Sequence, residues 1–247
     1  MTGPTAPCIL AQGLFKSFGS KAAVAGLDLA VFPGEIYGLL GPNGAGKTTT
    51  LKMLCGLLRP DRGRVAIGGA DIRENPVEAK RRLGFIPDNP YIYDVLTGRE
   101  FLTMVAGLYG IGRSQAGDRI TELAGRLQAS DWLDQRAEGY SHGMRQKLVL
   151  ASALLHRPDA YLIDEPLVGL DPASILTVRQ IFLQEAARGA CLLISTHTLS
   201  LAESICGRIG IIARGRLAAQ GTLAELRCLS QNNHADLESL YLEFTTS

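Results

Sequence analysis

Glu35-Ile36-Tyr37-Gly38-Leu39-Leu40-Gly41-Pro42-Asn43-Gly44-Ala45-Gly46-Lys47-Thr48-Thr49-Thr50-Leu51-Lys52-Met53-Leu54-Cys55-Gly56 is the stretch that decides the fold. The apolar run Ile36 to Leu40 reads as a buried strand, and Thr49 to Leu57 reads as a helix. Between them Gly41, Pro42, Asn43, Gly44, Ala45, Gly46, Lys47 and Thr48 spell G-x-x-x-x-G-K-[ST], a phosphate-binding loop in its strand–loop–helix setting. Glycines let successive N–H groups face one way, and no Cβ blocks the approach of a polyphosphate. The helix aims its positive end at the same point. Lys47 offers a point charge for the β and γ phosphates, and Thr48 a hydroxyl for Mg²⁺.

Upstream of this stretch, residues 8–14 and 24–31 read as strands, with Lys16-Ser17-Phe18-Gly19 between them. Pro33-Gly34 turns the chain into Ile36. Downstream, Pro60-Asp61-Arg62-Gly63 is a turn and Arg64 to Ile67 a strand. Asn75-Pro76-Val77-Glu78 opens a short helix with a cap, a first-position proline and an acid. Lys80, Arg81 and Arg82 close it, where cations suit the dipole better than they suggest a binding patch. Leu83 to Ile86 reads as a strand.

From Asp88 to Arg157 the pattern turns helical. Thr97-Gly98-Arg99-Glu100 is a capping box, and Ile120, Leu123, Ala124 and Leu127 recur at helical spacing. Trp132 and Leu133 are expected to pack in this segment. Tyr140-Ser141-His142-Gly143-Met144-Arg145-Gln146-Lys147 announces the next helix. Alternation then resumes: a strand at Ala160 to Ile163, a helix at Ala173 to Arg188 with Ile175, Val178, Phe182 and Ala186 on one face, and a strand at Cys191 to Ser195. Ser200-Leu201-Ala202-Glu203 and Thr222-Leu223-Ala224-Glu225 read as further capping boxes, and Arg214-Gly215 as a hairpin turn. The tail after Cys228 is weakly helical.

This order implies an α/β fold: a phosphate-loop core with a mostly parallel sheet, an N-terminal antiparallel part and an inserted helical subdomain. We expect one domain over 1–247, with core 1–88 and 158–228, helical subdomain 89–157 and tail 229–247. Nucleotide should sit at the carboxyl ends of the parallel strands.

Composition sets the outer bounds. Apolar residues make up 46% of the 247 and charged ones 20%, as in ordinary globular chains rather than disordered ones. A net charge of +1 gives no electrostatic footprint for nucleic acid or anionic membrane. The five cysteines, Cys8, Cys55, Cys191, Cys206 and Cys228, form no C-x-x-C pair and read as reduced thiols. No basic segment precedes an apolar run at the N-terminus, so no signal peptide is expected. No run approaches about 18 uninterrupted apolar residues, so work at a membrane would need another polypeptide to span it.

The second chemical element is Tyr161-Leu162-Ile163-Asp164-Glu165-Pro166, an apolar strand delivering two acids at its carboxyl end. Asp164 is placed to hold Mg²⁺, directly or through water, and Glu165 to polarise the water that attacks a γ-phosphate. An acidic turn after a strand is common by itself; its position downstream of a phosphate loop favours the catalytic reading.

With Tyr140 to Lys147, these motifs resemble the nucleotide-binding subunits of ATP-binding cassette (ABC) transporters, from about Leu10 to Glu225. The resemblance implies an ATPase with ATP and Mg²⁺ as cofactors, and the following residue roles. Phe18 stacks on adenine, where tyrosine is commoner. Gly41 to Thr49 is the phosphate loop. Asp88 stands where a glutamine usually senses the γ-phosphate and Mg²⁺. Ser141 and Gly143 form the signature that contacts ATP on a second subunit. Asp164 is the Mg²⁺ ligand and Glu165 the general base. Leu170-Asp171 crosses the dimer interface, and His197 of Ser195-Thr196-His197 is the switch histidine.

Two departures stand out. The signature, usually L-S-G-G-Q, is Y-S-H-G-M, so His142 must avoid positive φ or bear strain, and Met144 loses an amide. Asp88 is a harder ligand than glutamine but one methylene shorter, and Pro87-Asp88-Asn89-Pro90 also has turn chemistry, so a metal role and a turn role both stand. Y-S-H-G-M-R-Q-K with an acid at 88 resembles the bacterial branch that works with export permeases.

The partners implied are a second nucleotide-binding subunit, with a homodimer favoured because Glu165, Ser141 and Gly143 are all present, and integral membrane permease subunits. The location implied is peripheral, on the cytoplasmic face. Tyr91 and Tyr93 are expected to line the docking groove. The competing readings are a single-cassette ATPase of a soluble assembly and, further off, a kinase or GTPase, which leaves Ser141-His142-Gly143 and His197 unexplained.

Overall fold

The computed structural model describes residues 6–230, 232 and 234–246; the expected outer limits at 1 and 247 lie outside the described residues. Two sheets form the frame. In one, β1 (Ile9–Phe18) lies between β2 (Lys21–Val31) and β4 (Arg62–Ile67), with the short β5 (Ala70–Asp71) at the edge, all antiparallel. The other has β3 (Ile36–Leu40), β6 (Leu83–Ile86), β7 (Ala160–Asp164), β8 (Cys191–Thr196), β9 (Arg208–Ala213) and β10 (Arg216–Gly221), in the order β10-β9-β3-β8-β7-β6. Its strands run parallel except for the β9–β10 hairpin, whose turn is the expected Arg214-Gly215. Every residue of β3, β7 and β8 is buried, which is why these strands read as unbroken apolar runs.

The helices follow the expected order. The phosphate loop leads into α1 (Lys47–Leu54), and α2 (Pro76–Arg81) precedes β6. Between β6 and β7 come α3 (Gly98–Leu108), α4 (Arg113–Arg126) and α5 (His142–Leu154). Thr97 and Glu100 form the expected capping box on α3. The spaced apolar residues Ile120, Leu123, Ala124 and Leu127 are buried in one cluster with α5 and one face of the parallel sheet. Trp132 packs edge-on against Tyr140, ring centres 4.9 Å apart. Toward the C-terminus, α6 (Pro172–Ala187) and α7 (Leu199–Ile205) flank β8, α8 (Leu223–Leu229) carries the second capping box, and α9 (Leu237–Thr246) makes the tail more helical than its sequence suggests.

Several expectations need correction. β1 runs on through Lys16, Ser17 and Phe18, which pair with Val24, Ala22 and Lys21, so the segment expected to link two strands is itself strand. Its polar residues break the apolar pattern and hide the strand, and Asp61 ties it down through Lys16 Nζ at 2.7 Å and the Ser17 N–H at 2.8 Å. Asn75 occupies the cap position of α2 without a side-chain bond; Asp71 Oδ1 instead takes the preceding N–H groups of Arg73 and Glu74. The capping box at Ser200 does not form. Thr198 is the N-cap of α7, its N–H given to Thr196 Oγ1, so Ser200 falls inside the helix. The buried side of α6 is Ser174, Val178, Ile181, Phe182 and Glu185; of the expected face, Val178 and Phe182 are buried and Ala186 packs partly buried against the same core, whereas Ile175 is half-buried outside it. Glu185 is buried because Tyr161 Oη and Arg188 Nε both donate to its Oε2 at 2.9 Å.

Among the described residues no helix is long and apolar enough to cross a membrane, and the five cysteines are free.

Candidate functional site

The register of three strands assembles the site. β3 pairs with β8 so that Leu40 faces Thr196, and β7 pairs with β8 so that Asp164 faces Ser195. The phosphate loop, the paired acids and Ser195-Thr196-His197 therefore leave the sheet side by side at its carboxyl edge. Of these, Asp164, Glu165, His197 and the loop residues Pro42, Asn43, Gly44, Gly46, Lys47 and Thr48 line an open cleft of about 510 Å³ with Phe18, Lys21, Ala23, Thr49, Asp88 and Val168.

The loop has the backbone its glycines permit. Gly44 and Gly46 lie at φ 79° and 111°, and Gly46 caps α1. A Cβ on Gly41 would strike the Ile212 carbonyl, and one on Gly46 the Ala23 carbonyl. Gly41 and Ala45 are buried beneath the loop instead of lining the cleft. Lys47 is itself buried, its Nζ donating to the Gly41 carbonyl at 2.6 Å and the Pro42 carbonyl at 3.3 Å. Burial pulls its ammonium below the usual lysine range, opposed by the charges of Glu165 and Asp164.

Asp164 is 2% exposed, and its Oδ1 has no hydrogen-bond partner; Ser195 Oγ, across the ladder, is also unpartnered. Burial raises the Asp164 pKa, and nearby Asp88 and Glu165 push the same way against Thr48 and Ser195. An orphaned, buried carboxylate oxygen beside a threonine hydroxyl and a second acid suits a hard divalent cation. No group of three acid, histidine or cysteine side chains closes a metal cage among the described residues. The orphaned Asp164 oxygen and the Thr48 hydroxyl are hard oxygen donors of the kind Mg²⁺ takes alongside waters and phosphate oxygens.

Glu165 takes φ 47°, an uncommon conformation for a residue with a side chain. Its N–H stays on the sheet, donating to the Ser195 carbonyl at 2.9 Å. Both carboxylate oxygens are engaged: His197 Nδ1 lies 2.8 Å from Oε1, and Thr196 Oγ1 donates to Oε2 at 3.0 Å.

Ser141, Gly143 and Asp171 do not line this cleft. Ser141 caps α5 by accepting from the Met144 N–H at 3.3 Å, and Asp171 caps α6 by accepting from Ser174. His142 resolves its departure by becoming the first helical residue, with φ not positive. Its imidazole covers Gly169, which at φ 77° leaves no room for a Cβ. Tyr91 and Tyr93 are exposed and meet edge to face at 5.9 Å. A separate 350 Å³ groove between α1, α3 and the end of α5 is lined by Leu57, Phe85, Val105, Leu108, Tyr109 and His156 among others. Sequence reasoning missed Lys21, Ala23 and Val168 on the cleft and the bond from Thr196; only the position of Thr196 between a strand and His197 hinted at the last.

Fold and site together define a phosphate-loop nucleotide-binding domain. The profile of the ABC transporter family matches residues 24–168. An ABC transporter ATP-binding protein of Nostoc sp. is 41% identical over 206 residues, 83% of this chain and 61% of that protein. The daunorubicin/doxorubicin resistance ATP-binding protein DrrA of Streptomyces peucetius is 39% identical over 226 residues, 92% of this chain and 68% of that protein. A solved structure of the ATP-binding subunit of an ABC transporter superposes with TM-score 0.92 at 33% identity, covering 96% of this chain and 99% of the other. The chain belongs to the ABC transporter family. It spans about three-fifths of the Nostoc relative's length.

Proposed function

We propose that the chain is an ATP-hydrolysing subunit that closes in pairs around two ATP molecules and powers export through separate permease subunits. The carrying observation is the cleft in which Lys47, Thr48, Asp88, Asp164, Glu165 and His197 converge on the N-terminus of α1. Loop N–H groups, Lys47 and the helix end bind the β and γ phosphates, and Phe18, 55% exposed at the rim, offers its ring to the base. Thr48 and Asp164 would hold Mg²⁺, with Asp88 reaching it through water. When bound, Mg²⁺ neutralises charge developing on the phosphate oxygens. Glu165 polarises the attacking water, and His197 orients the γ-phosphate.

Pairing is supported by the signature. Ser141 and Gly143 lie outside the chain's own cleft at the N-terminus of α5, an anion-suited position. A second copy would bring that end, with Asp171, over the γ-phosphate. Export is supported by the resistance role in the name of the Streptomyces relative. We place the chain at the inner membrane face, held there by its permease, with core and helical subdomain moving as two parts of one domain.

The test is capture of the Glu165→Gln form with ATP from mildly solubilised native membranes, followed by mass spectrometry. A multi-span membrane protein in stoichiometric amount supports the transporter reading. Soluble partners alone would favour an assembly ATPase.

A further inference from the structure

We infer that Thr196 is the fixed positioning residue for the Glu165 carboxylate, the partner that stays when His197 turns to the phosphate. The inference rests on the ATPase reading above and goes beyond it in assigning a role to a residue that does not line the cleft.

The two partners of Glu165 differ in freedom. His197 is 57% exposed on its side chain and lies past the end of β8, so its imidazole can leave Glu165 at little cost. Thr196 is 1% exposed and is the last residue of β8, paired with Leu40. A β-branched side chain in a strand has a narrow choice of rotamer. Its hydroxyl oxygen accepts from the Thr198 N–H at 3.0 Å, which leaves its one hydrogen for Glu165 Oε2, also at 3.0 Å. The donor therefore has its direction set from behind, by the backbone that starts α7.

Catalysis needs a carboxylate that keeps its orientation while its neighbour moves. Glu165 already sits on a left-handed backbone, and its own N–H is fixed to the Ser195 carbonyl. With Thr196 donating, one oxygen is anchored and the other is free to face a water once His197 has turned. Without the hydroxyl, release of His197 would free both oxygens at the moment of attack. A well-directed hydrogen bond to a charged group in such a site is worth about 10- to 100-fold in rate.

The test compares Thr196→Val, which keeps shape and loses the hydroxyl, with Thr196→Ser, which keeps the hydroxyl. Both are assayed as full-length subunit with its permease, for kcat and KM of ATP hydrolysis, for ATP affinity, and for accumulation of the ATP-bound pair by gel filtration. Thr196→Val should lower kcat about 10- to 100-fold, change ATP affinity by less than about twofold and accumulate the ATP-bound pair. Thr196→Ser should recover kcat to within about threefold of the parent. If Thr196→Val does not fold, Thr196→Ala carries the same comparison. Unchanged kcat in the hydroxyl-free variants, or a Thr196→Ser variant as slow as they are, would overturn the inference alone. A parent subunit that binds ATP and does not hydrolyse it with its permease present would overturn the ATPase reading, and this one with it.

Discussion

His197 Nδ1 lies 2.8 Å from Glu165 Oε1, a contact made across the adjoining ends of two parallel strands. The pair forms part of the cleft wall, with the Glu165 side chain only 13% exposed and that of His197 57% exposed. A histidine so placed can exchange a carboxylate for a phosphate without rebuilding the fold. We predict that His197→Ala lowers kcat about 100-fold or more and leaves ATP affinity within a few-fold. Steady-state hydrolysis beside nucleotide-binding titration checks it; a kcat near the parent value would remove His197 from the chemistry.

Asp88 tests the departure from the family pattern at the γ-phosphate-sensing position. It lines the cleft, and its charge raises the Asp164 pKa, so the two acids act on one region. Asp88→Ala should slow hydrolysis about threefold to tenfold while ATP affinity stays near normal, as for a group that reaches its target through water. Unchanged turnover with the permease present would leave Asp88 as a turn residue.

Tyr140, where the family pattern has leucine, tests the departure in the signature. Its hydroxyl accepts from the Gly98 N–H at 3.1 Å and faces the Trp132 and Gln135 carbonyls at 2.9 and 3.0 Å. It joins the start of α3 to the segment just before Ser141. Tyr140→Phe strands a buried N–H and should cost about 1–3 kcal/mol of stability, read by chemical denaturation. Loss of less than about half a kcal/mol would mean that water replaces the hydroxyl.

His156 makes stability depend on pH. Its ring stacks on Tyr109 at 3.6 Å, Nε2 meets the Leu83 carbonyl at 3.1 Å, and Nδ1 is buried without a partner. Burial pushes its pKa down from 6.5 to about 4, opposed by the Leu83 bond and aided by Arg119. Below pH 6.5 the unfolded chain binds a proton that the folded chain refuses. The stabilisation is therefore whole above about pH 6.5 and is lost as pH falls toward 4, by about 2–3 kcal/mol. Denaturation curves at pH 7 and pH 4.5 should separate less in His156→Phe than in the parent. An equal separation in both would assign the pH dependence to other groups.

The phosphate loop and the two acids were legible in the sequence because each is local: a buried apolar run ends, and the chemistry follows within a few residues. Residues whose roles depend on register were not. The Lys16–Phe18 end of β1 looks like a polar link until Asp61 and the β2 partners are brought to it. Ser200 matches a capping box, yet Thr196 holds the Thr198 N–H and starts the helix earlier. Glu185 breaks the apolar pattern of α6 and is buried anyway, paid for by Tyr161 and Arg188. The grip of Thr196 on Glu165 follows from the β7–β8 register, which no local pattern encodes.

The central claim is that the site is completed by a second chain. The most direct measurement is the solution mass of Glu165→Gln, by light scattering during gel filtration, with and without MgATP. Pairing around ATP should shift the mass from the 26.4 kDa chain to twice that with ATP, with no shift with ADP. A protein that binds ATP tightly and stays at 26.4 kDa would contradict it.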